Sequence, residues 1–161
     1  MSRKVPIQKP GRSETVVVTP ENFMTAVKRF LGIKEFAWDL AALPENTKAE
    51  KYYTPEDDAL SQVWSYQGWG WLNPPYDNIT PWVKKCYESN MHVAMLVPAS
   101  VGSNWWRDYV EDCARIYFLN GRIQFVGHTA GYPKDLALLL YGVIPELGRS
   151  WDWRSYCSEE R

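Results

Sequence analysis

Asn73, Pro74, Pro75 and Tyr76 follow one another directly after an apolar, aromatic stretch, GWGWL at 68–72. Each proline fixes φ and removes a backbone donor. The residue before a proline is pushed out of the helical region into extended backbone, so Asn73 is held extended where a predicted strand ends. Its carboxamide carries both a donor and an acceptor. Because neither proline has an N–H, the corner is rich in carbonyl acceptors and poor in donors, and Tyr76 adds a flat face beside them. A planar group bearing an NH2 suits such a corner. Two acceptors take its two N–H bonds, its ring lies on Tyr76, and the nitrogen, enriched in electron density, is free to attack an electrophile on its far side. No general base need act before that attack. The bland alternative is a strand-ending turn, since Pro, Asn and Asp all favour turns.

The corner needs elements to hold it. TPENFMTAVKRFLG at 19–32 predicts a helix, with Thr19 as N-cap, Pro20 at its first position and Gly32 as its stop. EFAWDLAA at 35–42 reads as a strand with Asp39 near its end. The segment from Pro55 or Glu56 to about Gln62 reads as one short helix, and GWGWL as a short buried strand. Thr80 and Pro81 open a second helix. HVAMLVP at 92–98 has the continuous apolar run of a central strand buried on both sides. A third helix opens at Ser103 or Asn104. ARIYFLNGRIQFVG at 114–127 predicts a hairpin through a type I′ turn at Asn120-Gly121, and DLALLLYGVI at 135–144 a last strand. This alternation predicts an α/β sheet, mostly parallel at its centre, with an antiparallel hairpin or edge strand. Ligands of such sheets bind at the carboxyl ends of the strands, the rim that Asp39 and Asn73 would share.

The chain has 161 residues, 45% of them hydrophobic and 23% charged, which is the composition of a single globular domain. A polar basic arm over 1–14, a domain over 15–145 and a peripheral tail over 146–161 are expected. With 9 Trp, 10 Tyr and 5 Phe, most aromatics belong to the core, and the rest are available to stack on planar ligands. Net charge is −1, so a nucleic-acid partner would have to meet a local basic patch. Candidates are Arg3, Lys4, Lys9 and Arg12 in the arm, and Lys84, Lys85, Arg107, Arg115 and Arg122. Cys86, Cys113 and Cys157 form no paired motif, which argues against zinc and against a disulfide framework. No apolar run is long enough for a membrane span, and the N-terminus lacks the apolar core of a signal peptide, so a cytoplasmic protein is expected.

NPPY resembles the catalytic motif of amino-group methyltransferases that use S-adenosylmethionine. TPENF, FAWDLAALPEN, KYYTPEDDAL, WLNPPYDNITPWVKKCYE, VAMLVPAS and IYFLNGRIQF occur in an order and spacing similar to the phage-type DNA adenine-N6 methyltransferases. The resemblance covers Thr19 to about Phe125. It implies a Rossmann-like methyltransferase fold and methyl transfer from S-adenosylmethionine to N6 of a flipped adenine in double-stranded DNA. Asn73 and the Pro74 carbonyl would accept from the amino group, Pro75 would shape the turn, and Tyr76 would stack on the base. Asp39 would hold the methionine part of the cofactor, and Thr19, Pro20 and Phe23 would belong to a segment closing over it. It also implies a phage or prophage setting, in which modification would shield viral DNA from restriction.

Two departures stand out. No Gly occurs between Gly32 and Gly68, where such enzymes usually carry a glycine-rich loop, and only 34 residues separate Asp39 from Asn73. An abbreviated sheet is expected, with Asp57, Asp58 and Asn46 as candidate partners of the cofactor's adenosine. An acidic pair favoured by a helix N-terminus is the plainer reading of Asp57 and Asp58. VGHTAGYPKD at 126–135 reads either as a plain surface loop or as a mobile loop reaching DNA, with Lys134 on phosphate. No metal is required. The competing readings are an RNA or protein-glutamine methyltransferase using the same corner, and a non-catalytic nucleic-acid-binding module with a decayed cofactor site.

Overall fold

The computed structural model describes residues 17–157. The expected basic arm, with Arg3, Lys4, Lys9 and Arg12, lies outside the described residues. The chain runs through α1 (Glu21–Leu31), β1 (Trp38–Asp39), β2 (Gly70–Leu72), α2 (Thr80–Ser89), β3 (Val93–Pro98), α3 (Asn104–Tyr109), β4 (Arg115–Leu119), β5 (Leu136–Tyr141) and β6 (Glu146–Trp151). The strands form one sheet in the order β1-β2-β3-β5-β4-β6. β1, β2 and β3 pair in parallel, as do β4 and β6, and β5 runs antiparallel to both β3 and β4. Five strands therefore point one way and only β5 opposes them. This is the expected mixed, mostly parallel class, with its antiparallel strand inside the sheet.

Helices cover both faces. Every residue of β3 and β5 is buried, and side-chain alternation divides them between two cores. Ala94, Leu96, Leu138 and Leu140 face Phe23 and Val27 of α1. Val93, Met95, Val97, Ala137 and Leu139 face Val83 and Cys86 of α2 and Trp106 of α3. Each fully buried Val, Leu or Met side chain among them contributes about 1.5–3 kcal/mol.

The helix starts follow the prolines, within a residue. α1 begins at Glu21 behind an extended Pro20, and Gly32 closes it in the left-handed region at φ 68°. Pro20 and not Thr19 is therefore the N-cap, and no side chain caps the helix; the Thr19 hydroxyl has another partner, described below. The expected strand over 35–42 shortens to two residues. The expected helix after Pro55 is two 3-10 turns, Pro55–Asp57 and Ala59–Ser61, broken at Asp58 with φ 50°.

Two expectations are overturned. No hairpin forms at Asn120-Gly121, because β5 and β6 already occupy the two edges of β4. Residues 122–126 leave the sheet, and Ile123 and Phe125 pack into the core beside α1. The stretch after residue 145 is not peripheral either. It supplies β6 and a 3-10 turn, Trp153–Tyr156, and buries Trp151 and Trp153. Their rings lie 6.1 and 5.2 Å from Phe23, and Trp151 stacks on Phe30 at 4.5 Å. That aromatic area is too large to leave in water.

No described helix is long and apolar enough to cross a membrane. Among the described residues, no three His, Cys, Asp or Glu side chains gather as metal ligands.

Candidate active site

β2 delivers Asn73 to the carboxyl rim of the sheet. Its amide nitrogen donates to the Thr19 hydroxyl at 3.0 Å and to the Val17 carbonyl at 3.3 Å. A backbone carbonyl can only accept, so the nitrogen must face the 17–19 strap and the oxygen must face away. That oxygen, Oδ1, is buried and has no hydrogen-bond partner. Among the described residues no donor reaches the Pro74 carbonyl either. Buried acceptors are normally satisfied, so the open oxygen of Asn73 marks a place for an incoming donor. Tyr76 follows with its hydroxyl buried and unpartnered, and burial pushes the phenol pKa well above its ordinary value. The ring of Tyr132, from the 126–135 loop, meets Tyr76 edge-on at 6.0 Å.

Beside the corner lies a cavity of about 280 Å³, close to the lower end of small-ligand pockets, roughly 300–1,000 Å³. Asn73, Pro75, Asp39 and the strap residues Val17, Val18 and Thr19 line it. Asp39 ends β1, adjacent and parallel to β2. Its two carboxylate oxygens accept from the Ala41 N–H at 3.3 Å and the Lys48 N–H at 2.8 Å. These bonds tie the two limbs of the loop after β1 together, and Ala41 and Ala42, small residues though not glycines, line the cavity. Burial raises the Asp39 pKa to about 6, while the backbone N–H groups and the Lys48 ammonium pull it down.

The other expected cofactor residues divide. Thr19, Asn46 and Asp58 line the cavity. Asn46 Oδ1 also accepts from the Leu43 N–H at 3.2 Å, pinning the loop. Asp57 turns away and caps its own 3-10 turn, accepting from the N–H and hydroxyl of Thr54 at 2.7 and 3.0 Å. Pro20 is the N-cap of α1, and Phe23 is fully buried among Trp71, Trp151 and Trp153. Neither is among the lining residues.

The basic residues divide in the same way. Lys85 donates to the carbonyls of Leu60 and Gln62 and lies 5.5 Å over the Trp64 ring, so it is occupied inside the fold. Arg107 pairs with Asp108 at 2.8 Å, and Lys84 with Glu88 at 3.9 Å, both on the surface. Arg122 donates to the Tyr132 carbonyl at 3.1 Å and pairs with Asp135 at 3.5 Å, holding the loop that faces Tyr76. Arg115 donates to the Ile144 carbonyl at the opposite end of the sheet. Lys134 is exposed on the 126–135 loop.

Sequence reasoning missed Val17, Val18, Lys48, Tyr53 and Trp82 as lining residues, and Tyr132 as the neighbour of Tyr76. Lys48 carries no motif signal; its ammonium pairs with Glu21 of α1 at 2.7 Å and joins the cavity loop to the strap's helix.

With that geometry described, likeness to known proteins becomes informative. The DNA N-6-adenine-methyltransferase (Dam) family model matches residues 9–137. The chain is 31% identical to a DNA N-6-adenine-methyltransferase of Haemophilus phage HP1 (strain HP1c1), over 67% of this chain and 64% of that protein. It is 30% identical to a DNA N-6-adenine-methyltransferase of Escherichia phage T1, over 60% of this chain and 48% of that protein. The chain thus spans about half to two-thirds of the length of these curated relatives. No solved structure matches it significantly.

Proposed function

Since the chain belongs to the DNA N-6-adenine-methyltransferase family, we propose that it methylates N6 of adenine in double-stranded DNA, with S-adenosylmethionine as donor. The observation that carries this reading is the open, buried Oδ1 of Asn73 at the edge of a cavity. The donor set around the cavity fits the cofactor. Asp39, Asn46 and Asp58 supply acceptors for ammonium, amino and ribose hydroxyl groups, and the strap of Val17, Val18 and Thr19 covers them. S-adenosylmethionine supplies, when bound, an electrophilic methyl group whose carbon–sulfur bond breaks as the new nitrogen–carbon bond forms.

The chain's own residues do the rest. Asn73 Oδ1 and the Pro74 carbonyl accept the two N–H bonds of the adenine amino group and stabilise the positive charge that grows on nitrogen. The surplus proton then leaves to water. Pro75 keeps the corner rigid, and Tyr76 offers its face to the ring. Extracting a base from the duplex costs a few kcal/mol, and stacking on Tyr76 returns about 1–3 kcal/mol. Lys134, Lys84 and Arg107 are the phosphate candidates, with Arg122 steadying the loop that carries Lys134. Lys85 drops out of that group. The reaction would take place in the cytoplasm of a bacterial or phage-infected cell.

The test is transfer of isotopic label from S-adenosylmethionine to unmethylated duplex DNA, read as N6-methyl-2′-deoxyadenosine after digestion. Asn73→Ala removes an aligned acceptor from the developing charge, and kcat should fall by roughly 10²–10³-fold. Label in RNA or in protein glutamine instead of DNA would replace the acceptor. Absence of both transfer and cofactor binding would leave a non-catalytic nucleic-acid-binding module.

A further inference from the structure

The hydroxyl of Thr19 is misplaced for its obvious task. Threonine directly before a proline at a helix start is a favoured N-cap, yet here Pro20 takes the cap position and no side chain caps α1. Thr19 is 2% exposed, and its Oγ1 accepts from Asn73 Nδ2 at 3.0 Å, 54 residues away in sequence. The Val17 carbonyl accepts from the same nitrogen at 3.3 Å. The strap is in turn anchored from its other side, where Val126 N–H donates to the Val18 carbonyl at 3.0 Å.

An isolated carboxamide has two nearly equivalent orientations, related by a half-turn that exchanges oxygen and nitrogen. Only one of them offers an acceptor to an incoming amino group; the other brings NH2 against NH2. The Val17 carbonyl selects the orientation and Thr19 locks it. We propose that Thr19 is a positioning residue for methyl transfer, acting through Asn73 by holding its amide so that Oδ1 faces the target amino group. This inference rests on Asn73 being the amino-group acceptor. It gives Thr19 a task separate from lining the cofactor cavity, and it couples the strap over that cavity to the readiness of the acceptor site beside it.

Thr19→Val keeps the shape and removes the acceptor; Thr19→Ser keeps the acceptor. Methyl transfer, cofactor affinity by calorimetry and thermal midpoint would be measured for both, and for each combined with Asn73→Ala. Thr19→Val should lower kcat about tenfold, the size of one lost orienting hydrogen bond, with cofactor Kd within about twofold on the same scale, where 1.4 kcal/mol is tenfold. Thr19→Ser should restore kcat. In the Asn73→Ala background Thr19→Val should change kcat no further, because the group it orients is gone. An unchanged kcat in Thr19→Val, an equal fall in both backgrounds, or a loss confined to cofactor affinity would each overturn the positioning role. Full activity in Asn73→Ala alone would remove the acceptor reading, and this inference with it.

Discussion

Asp39 and Asn73 end neighbouring parallel strands and line one cavity, yet their polar atoms are in opposite states. Both oxygens of Asp39 accept backbone N–H bonds from the loop that follows it. The Asn73 amide is anchored through its nitrogen and leaves its oxygen buried and open. Asp39 ties its own loop into the cavity wall, whereas Asn73 keeps its oxygen without a partner in the fold. An open polar atom is not by itself a site, however. Trp151 Nε1 is also buried without a partner, but it sits among the rings of Phe23, Phe30 and Tyr156 and is not among the residues lining the cavity. Asn73 combines an open atom with a space that a ligand can enter.

Removing satisfaction on the Asp39 side should have the largest effect on folding. Asp39→Asn keeps one acceptor and turns an NH2 towards a backbone N–H, a loss of about 1–3 kcal/mol in urea unfolding at pH 7. The wild type adds a pH signature. Its carboxyl pKa rises on folding from 3.8 to about 6, so the folded state holds the proton more tightly than the unfolded chain does. The associated stability is fully present below pH 4 and is lost as pH rises through 6. Roughly two pH units at 1.36 kcal/mol each amount to about 3 kcal/mol. The gap between wild type and Asp39→Asn should therefore widen on acidification from pH 7 to 4; a gap that stays constant would mean that Asp39 does not titrate in that window.

Lys85 is the next test of a satisfied group. Lys85→Met removes the ammonium that links the Leu60 and Gln62 carbonyls and lies over the Trp64 ring. Stability should fall by about 1–2 kcal/mol, the range of charge-assisted hydrogen bonds that are partly exposed, while the salt dependence of DNA binding stays unchanged. A shallower salt slope would return Lys85 to the phosphate contacts. The smallest effect belongs to the unsatisfied side. Tyr76→Phe deletes a hydroxyl that is buried without a partner, so the free protein should gain up to about 1 kcal/mol and keep its ring for stacking. A clear loss of thermal stability would show that the hydroxyl has a partner in solution.

The same contrast explains what the sequence reveals. Residues whose role is local are legible: Pro20 and Pro81 near helix starts, Gly32 at a stop, the unbroken apolar runs of β3 and β5, and the Asn-Pro-Pro-Tyr corner. Residues whose role depends on a distant partner are not. Asp57 and Asp58 are neighbours of one type, but the left-handed turn at Asp58 sends one to its own backbone and the other to the cavity. Asn120-Gly121 has the composition of a tight hairpin, and only the pairing of β4 with β5 and β6 forbids it. Thr19 reads as a cap because its actual partner, Asn73, belongs to another strand's end. Lys85 reads as a surface charge until Trp64 and the Leu60 carbonyl are seen beneath it.

Trp151 and Trp153 close the aromatic cluster around Phe23 and Phe30 on α1, and α1 continues directly from the strap that orients Asn73. During synthesis the corner and the strap are both complete long before those tryptophans emerge from the ribosome. Until they do, the face of α1 that they cover lacks its aromatic partners. The last described strand and turn thus cover the helix that continues directly from the strap beside Asn73.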